Sequence, residues 1–149
     1  MNDTTRDRLD IMELFSRYCA AIDDREWQAM LELYTPDVVA EQPVGTVLRG
    51  PKAIVNMISF AIDWLGPTLH TVSNFIVDVD GDRAEARCYV RGYHQGAREH
   101  ADKSQETLGK FTATLVRTSE GWRFNSFVEH IVLSLGTPEI FNPNLVPGD

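Results

Sequence analysis

The chain has 149 residues, 43% of them hydrophobic, and at this length roughly 68–70% of the unfolded surface is buried on folding, which supports one core and excludes general disorder. Fourteen Lys and Arg against twenty-two Asp and Glu leave a net charge of −8, which argues against nucleic acid and anionic membrane surfaces as partners and leaves room for a small neutral or apolar ligand. The start, Met1-Asn-Asp-Thr-Thr-Arg-Asp7, lacks the basic-then-apolar order of a secretion signal, and no apolar run approaches the ~20 residues that span a bilayer. The expectation is a cytoplasmic protein of one domain, residues 1–149.

Thr4-x-x-Asp7 has the form of a capping box with Asp in place of Glu and predicts a helix start. Ile11, Leu14, Phe15, Tyr18 and Ile22 follow at steps of three and four, one apolar face of an amphipathic helix that ends at Asp23-Asp24. Trp27, Met30, Leu31 and Tyr34 give a second, shorter helical stripe, stopped by Thr35-Pro36-Asp37. Val38 to Val47 reads as an irregular strand or hairpin. Gly50-Pro51 opens a third helix, with Pro suited to the first turn, and Ile54, Met57, Ile58, Ala61 and Ile62 as its buried side.

Beyond Gly66-Pro67 the period changes to two. Leu69 to Asp80 and Arg83 to Gly96 read as strands joined by the hairpin signal Asp80-Gly81-Asp82. A charged loop, Ala97 to Glu106, precedes strands Gly109 to Arg117 and Trp122 to Leu133, and a tail with Pro138, Pro143 and Pro147 is expected to wrap the surface or a neighbouring subunit. Three helices followed by an antiparallel meander is an α+β plan, with the helices on one face of the sheet.

Cys19 and Cys88 lie within apolar patterns and are expected as reduced core residues. Strand alternation places His94 with Ala84, Ala86, Cys88, Val90 and Gly92, and His70 with Val72, Asn74 and Ile76. It places His130 with Trp122, Phe124, Ser126, Val128 and Val132, opposite Arg123, Asn125 and Glu129. Each histidine taken singly fits a satisfied core residue; three on apolar faces point to a pocket with polar groups projecting into it. The three come from separate strands without H-x-H or H-E-x-x-H pairing, so a metal site has little sequence support. No G-x-S-x-G elbow or Gly-rich phosphate loop occurs. Asp23, at the end of the first helical face with Tyr18 before it, fits either ordinary helix-end chemistry or a carboxylate that orients an imidazole such as His70.

Tyr18-Cys-Ala-Ala-Ile-Asp23-Asp-Arg-Glu-Trp27, Leu33-Tyr-Thr-Pro-Asp37 and Gly50-Pro-Lys-Ala-Ile54 resemble the helical half of SnoaL-like proteins of the nuclear transport factor 2-like superfamily. His70-Thr-Val-Ser-Asn74, Asp80-Gly-Asp82-x-Ala84, Gly109-Lys-Phe111 and Arg117-Thr-x-x-Gly-Trp122 resemble the sheet half, in order, over nearly the whole chain. The resemblance implies a cone-shaped, cystatin-like α+β barrel: a strongly curved, mixed, mainly antiparallel sheet around a long N-terminal helix, with a deep apolar pocket.

Asp23 and His70 match the places of the Asp–His pair of scytalone dehydratase, bile acid 7α-dehydratase and hexachlorocyclohexane dehydrochlorinase. Tyr18 matches the Tyr of the bile acid enzyme, and His94 resembles the second His of scytalone dehydratase. The dehydrochlorinase carries Lys near the place of Tyr18, which speaks against dehalogenation. The variable late-strand polar position maps to His130 or Asn125. The implied catalytic set is Asp23, His70, Tyr18 and His94, with Phe15, Asn125 and His130 in substrate binding. No cofactor or metal is implied. The implied activity is dehydratase- or isomerase-type lyase chemistry on a small apolar cyclic or polycyclic molecule, steroid-, polyketide- or terpenoid-like, in a homodimer or homotrimer. The other reading is a non-catalytic pocket or subunit, as in dioxygenase β subunits.

Overall fold

A computed structural model describes residues 3–43 and 45–145. Val44 in the irregular hairpin, Pro147 in the tail and the first two residues of the start lie outside the described residues. The elements in chain order are α1 (Thr4–Asp23), α2 (Trp27–Leu31), β1 (Tyr34–Glu41), β2 (Val47–Arg49), α3 (Pro51–Ile62), β3 (Thr68–Asp80), β4 (Arg83–Gln95), β5 (Ser104–Thr118) and β6 (Gly121–Gly136). Asp3, not Thr4, caps α1, its carboxylate accepting from the N–H groups of Thr5 and Arg6. The expected second stripe is shorter than its pattern: Tyr34 belongs to β1, whose pairing with β6 overrides the helical spacing. The loop before β5 is also shorter, since Ser104, Gln105 and Glu106 already pair with β4.

The six strands form one mixed sheet in the order β2-β1-β6-β5-β4-β3, antiparallel throughout except for the parallel β1–β6 pair. Helix α1 packs against both β3 and β6. In a flat sheet those strands would lie about 14 Å apart, more than the ~10–12 Å width of a helix, so the sheet must curl around α1. Ile11, Leu14, Phe15, Tyr18 and Ile22 are the buried side of α1, as the three-four spacing predicts. Gly81 at φ 59 makes the β3–β4 hairpin. Cys19 and Cys88 are free and buried, and burial pushes both thiols up to about 12.

Two bulges re-aim side chains. In β3 the register shifts between Ser73 and Ile76, with Asn74 at φ 57, so that Phe75, Val77 and Val79 pack on the core while Ile76 is exposed. In β6 Thr114 pairs with Ser126 but Leu115 pairs with Phe124, which leaves Asn125 as the extra residue. The tail from Gly136 returns to the sheet: Ile140 is buried, and Phe141 meets the His94 ring edge-on at 5.3 Å. No helix among the described residues is long and apolar enough to cross a membrane.

Candidate active site

Asp23 is the last residue of α1, and the start of β3 runs past it. His70 N–H donates to Asp23 Oδ2 at 2.8 Å, Thr68 Oγ1 donates to Oδ1 at 2.8 Å, and His70 Nδ1 lies 2.7 Å from Oδ1. Arg25, in the left-handed region at φ 56, locks this corner. Its guanidinium donates to Asp23 O (2.8 Å), Thr68 Oγ1 (3.2 Å) and Gly66 O (2.7 Å). Because Arg25 can only donate, the Thr68 hydroxyl is left to point its own hydrogen at Asp23. Burial pushes the Asp23 carboxyl up, but the hydrogen bonds from the His70 ring, the His70 backbone and Thr68 outweigh it and hold the carboxyl below its ordinary value. An ionised Asp23 accepts a hydrogen bond from Nδ1–H, which leaves Nε2 of the neutral ring as its free acceptor.

His94 stands beside it on β4, the ring centroids 5.2 Å apart and nearly perpendicular. Its Nδ1 lies 3.2 Å from the carbonyl of Gln105 and donates to it. Burial and the neighbouring His70 push His94 down to about 4, so it is neutral near pH 7. Gly92 makes room for both rings: a methyl group there would sit 3.0 Å from His70 Cδ2 and Nε2 and from His94 Cε1.

Both rings line a mainly apolar pocket of about 240 Å³, walled by Tyr18 and Ile22 of α1, Met57 and Ile58 of α3, and Phe111 of β5. Phe141 and Leu145 of the tail also line it. Larger grooves of about 560 and 590 Å³ lie beside α1 at the start of β6 and at the β3 bulge. Neither is lined by a histidine, so the smaller pocket is the candidate site. Burial drives the Tyr18 hydroxyl well above its ordinary value, which keeps it a donor.

The remaining expected site residues lie elsewhere. Phe15 is fully buried one layer deeper, against Phe75, Phe111 and Phe124. Asn125 occupies the β6 bulge, and its amide donates to Thr35 Oγ1 (3.0 Å) and Asp37 Oδ1 (3.2 Å) of β1. His130 is exposed, because the bulge reverses the alternation and brings Phe127, Glu129 and Ile131 inward instead. A three-histidine metal site therefore lacks its third member, and no cluster of His, Cys, Asp and Glu fit for a metal occurs among the described residues. Ile131, two residues beyond Glu129, lines the rim of the pocket and stays partly exposed.

Sequence reasoning missed Glu129, Thr68 and Arg25. For Glu129 a signal existed: the inward aromatics run Trp122, Phe124, Phe127, and a step from two to three marks a bulge. Nothing in the spacing marks Thr68 or Arg25. Burial pushes the Glu129 carboxyl above its ordinary value, against the opposing pull of His70.

Three comparisons bear on kinship. An uncharacterized Mycobacterium tuberculosis protein, Rv2910c, is 32% identical over 130 residues, which cover 83% of this chain and 84% of the relative. A solved structure of a candidate aromatic ring hydroxylase from Novosphingobium aromaticivorans superposes with a TM-score of 0.81 at 26% identity, covering 91% of this chain and 96% of that one. The hexachlorocyclohexane dehydrochlorinase LinA-type3 from Novosphingobium barchaimii superposes with a TM-score of 0.80 at 16% identity, covering 98% of both chains, a likeness of fold alone. The SnoaL-like domain profile matches residues 3–128, and with a curled mixed sheet around its first helix the chain belongs to the SnoaL-like family.

Proposed function

We propose that the protein is a cofactor-independent lyase or isomerase of the dehydratase type, acting in the cytoplasm on a small, largely apolar cyclic substrate. The observation that carries this reading is the 2.7 Å contact between Asp23 Oδ1 and His70 Nδ1 at the wall of an apolar pocket. Asp23 fixes the tautomer, and His70 Nε2 removes a proton from a carbon next to a carbonyl. Tyr18 donates a hydrogen bond to the oxygen on which charge develops. General acid–base transfer of this kind is worth ~10²–10⁴-fold, and preorganised donors add to it.

A volume of about 240 Å³ lies below the ~300–1,000 Å³ of sites for drug-sized ligands. That favours one- or two-ring substrates over a steroid. A panel of such cyclic β-hydroxy ketones tests the reading by the ultraviolet absorbance of the enone formed. Turnover by the wild type that disappears in His70→Ala supports it; binding without turnover across the panel favours a non-catalytic ligand-binding subunit. Leu69, Tyr89 and Tyr93 are exposed on the outer side of the sheet and favour self-association as a homodimer or homotrimer. Sedimentation at micromolar concentration checks this, and a mass at the single-chain 16.8 kDa counts against it.

A further inference from the structure

The protons available to a ligand in the pocket can be counted. His70 gives its ring N–H to Asp23, and His94 gives its own to the carbonyl of Gln105. A neutral imidazole has one N–H, so Nε2 of each ring is an acceptor. His94 therefore offers a ligand an acceptor and no donor. Its neutral ring holds no second proton near pH 7. An elimination needs a base for carbon and an acid for the departing oxygen, and two acceptors supply only the first.

The β6 bulge places the missing group. Glu129 pairs with Phe111 across β5–β6, and both line the pocket with Tyr18, His70 and His94. Its carboxyl has no hydrogen-bond or ion-pair partner among the described residues, and no Lys or Arg lines the pocket. Glu129 is half-buried, and an ionised carboxylate there would face the apolar lining without a counter-charge, an arrangement that favours the neutral acid.

We propose that Glu129 is a catalytic acid: its protonated carboxyl hydrogen-bonds the hydroxyl of a neutral ligand and transfers the proton as that hydroxyl departs. The proposal rests on the lyase reading above. His70 Nε2 takes a proton from carbon, and the C–H electron pair becomes the π bond of the alkene. The C–O bond breaks, and the oxygen leaves with its electron pair and the Glu129 proton as water. Imidazolium and carboxylate remain, and passage of one proton from His70 to Glu129 resets both. The balance is substrate to alkene plus water, without a co-reactant. The same lining selects the ligand class: neutral hydroxy ketones are accepted, and carboxylates, whose charge would be desolvated among apolar walls with no cation at hand, are refused.

The test follows two reactions of 3-hydroxycyclohexanone and its benzo-fused analogue, loss of water and exchange of α-deuterium with solvent, in wild type, Glu129→Gln and Glu129→Ala. Melting temperatures confirm that each variant is folded. Glu129→Gln keeps a hydrogen-bond donor but no transferable proton, so water loss falls at least ~10²-fold while exchange, the step of His70, falls far less. Calorimetry with cyclohexanol, which carries the hydroxyl and cannot eliminate through an activated C–H, is expected to show Gln binding as the wild type does and Ala binding about tenfold weaker, one lost hydrogen bond. Cyclohexanecarboxylate is expected to bind the wild type at least tenfold more weakly than the alcohol. Water loss untouched in Glu129→Gln, or a wild-type preference for the carboxylate, overturns the acid role alone. A wild type that neither exchanges nor eliminates overturns the lyase reading and the acid role with it.

Discussion

At the N-terminal end of α1, Asp7 is buried and held by Arg117 through two hydrogen bonds of 2.6 and 2.9 Å, with Trp122 Nε1 donating a third at 3.1 Å. At the C-terminal end, Asp23 is held by an imidazole, a hydroxyl and a backbone N–H. Asp7 lies in the first turn, where the helix dipole favours a negative charge; Asp23 closes the last turn, where the dipole opposes one. Arg117 is a permanent cation whose charge is reinforced by Asp7, and it also clasps Asp82 at the β3–β4 hairpin. Histidine is the side-chain type that can take up and release a proton under mild conditions, and arginine is not. The carboxylate whose work is stability is paired with a group that cannot give up its proton, and the one placed for chemistry with a group that can.

Substitutions should separate the two ends. His70→Ala is expected to have the largest effect, a fall in turnover of ~10³-fold or more, since it removes the base itself. Asp23→Asn keeps the shape but permits the wrong tautomer, with an expected loss of at least ~10²-fold, and the Asp23→Asn/His70→Ala pair should be little worse than His70→Ala alone. Asp7→Asn should lower stability by about 2 kcal/mol, from charged hydrogen bonds lost in a buried position, or about 4–8 °C in melting temperature, with activity per folded molecule retained. A melting temperature lowered more by Asp23→Asn than by Asp7→Asn would break the comparison.

Acid sharpens it further. Asp7 is held below its ordinary value chiefly by the hydrogen bond from Arg117, against the desolvation that raises it. A depressed carboxyl contributes stability that is full above the unfolded value of ~3.9 and lost as pH falls through the folded one. Urea midpoints measured from pH 5 downward should therefore fall more steeply for wild type than for Asp7→Asn. Gly92→Ala should leave the fold intact and slow turnover about tenfold by pushing the two rings apart by a few tenths of an ångström. The smallest effect is expected for Asn125→Ala, about 1 kcal/mol in urea unfolding from the lost amide hydrogen bonds to β1.

The sequence carries the three helices because each buries one stripe at a fixed spacing, and the alternation in β4 survives intact because that strand pairs along its whole length on both sides. β3 and β6 are legible only up to their bulges. Past Asn74 and Asn125 a period of two names the wrong face, which puts His130 toward the pocket and Glu129 outside it, while Asn125 was expected there from the resemblance and not from alternation. Phe15 has the right spacing for the helix face that meets the pocket, but Tyr18, one turn on, reaches the cavity while Phe15 meets the core aromatics. The meeting of Asp23 with His70 is long-range and came only from resemblance; no local pattern encodes a contact between a helix end and a strand start.

The bulge in β6 also bears on how such a pocket changes between lineages. Closing the bulge with Asn125 retained would slip β6 by one residue beyond it, carrying Glu129 to the outside and His130 to the inside, whereas loss of the Asn125 codon would remove the extra residue and leave Glu129 inward. A slip of one residue would thus exchange a carboxyl for an imidazole without altering any residue of the strand. Relatives aligned column by column would look conserved across such an event, while their cavities held different chemistry. Within this fold, whether β6 bulges between Phe124 and Phe127 is as informative about reaction type as the residues themselves.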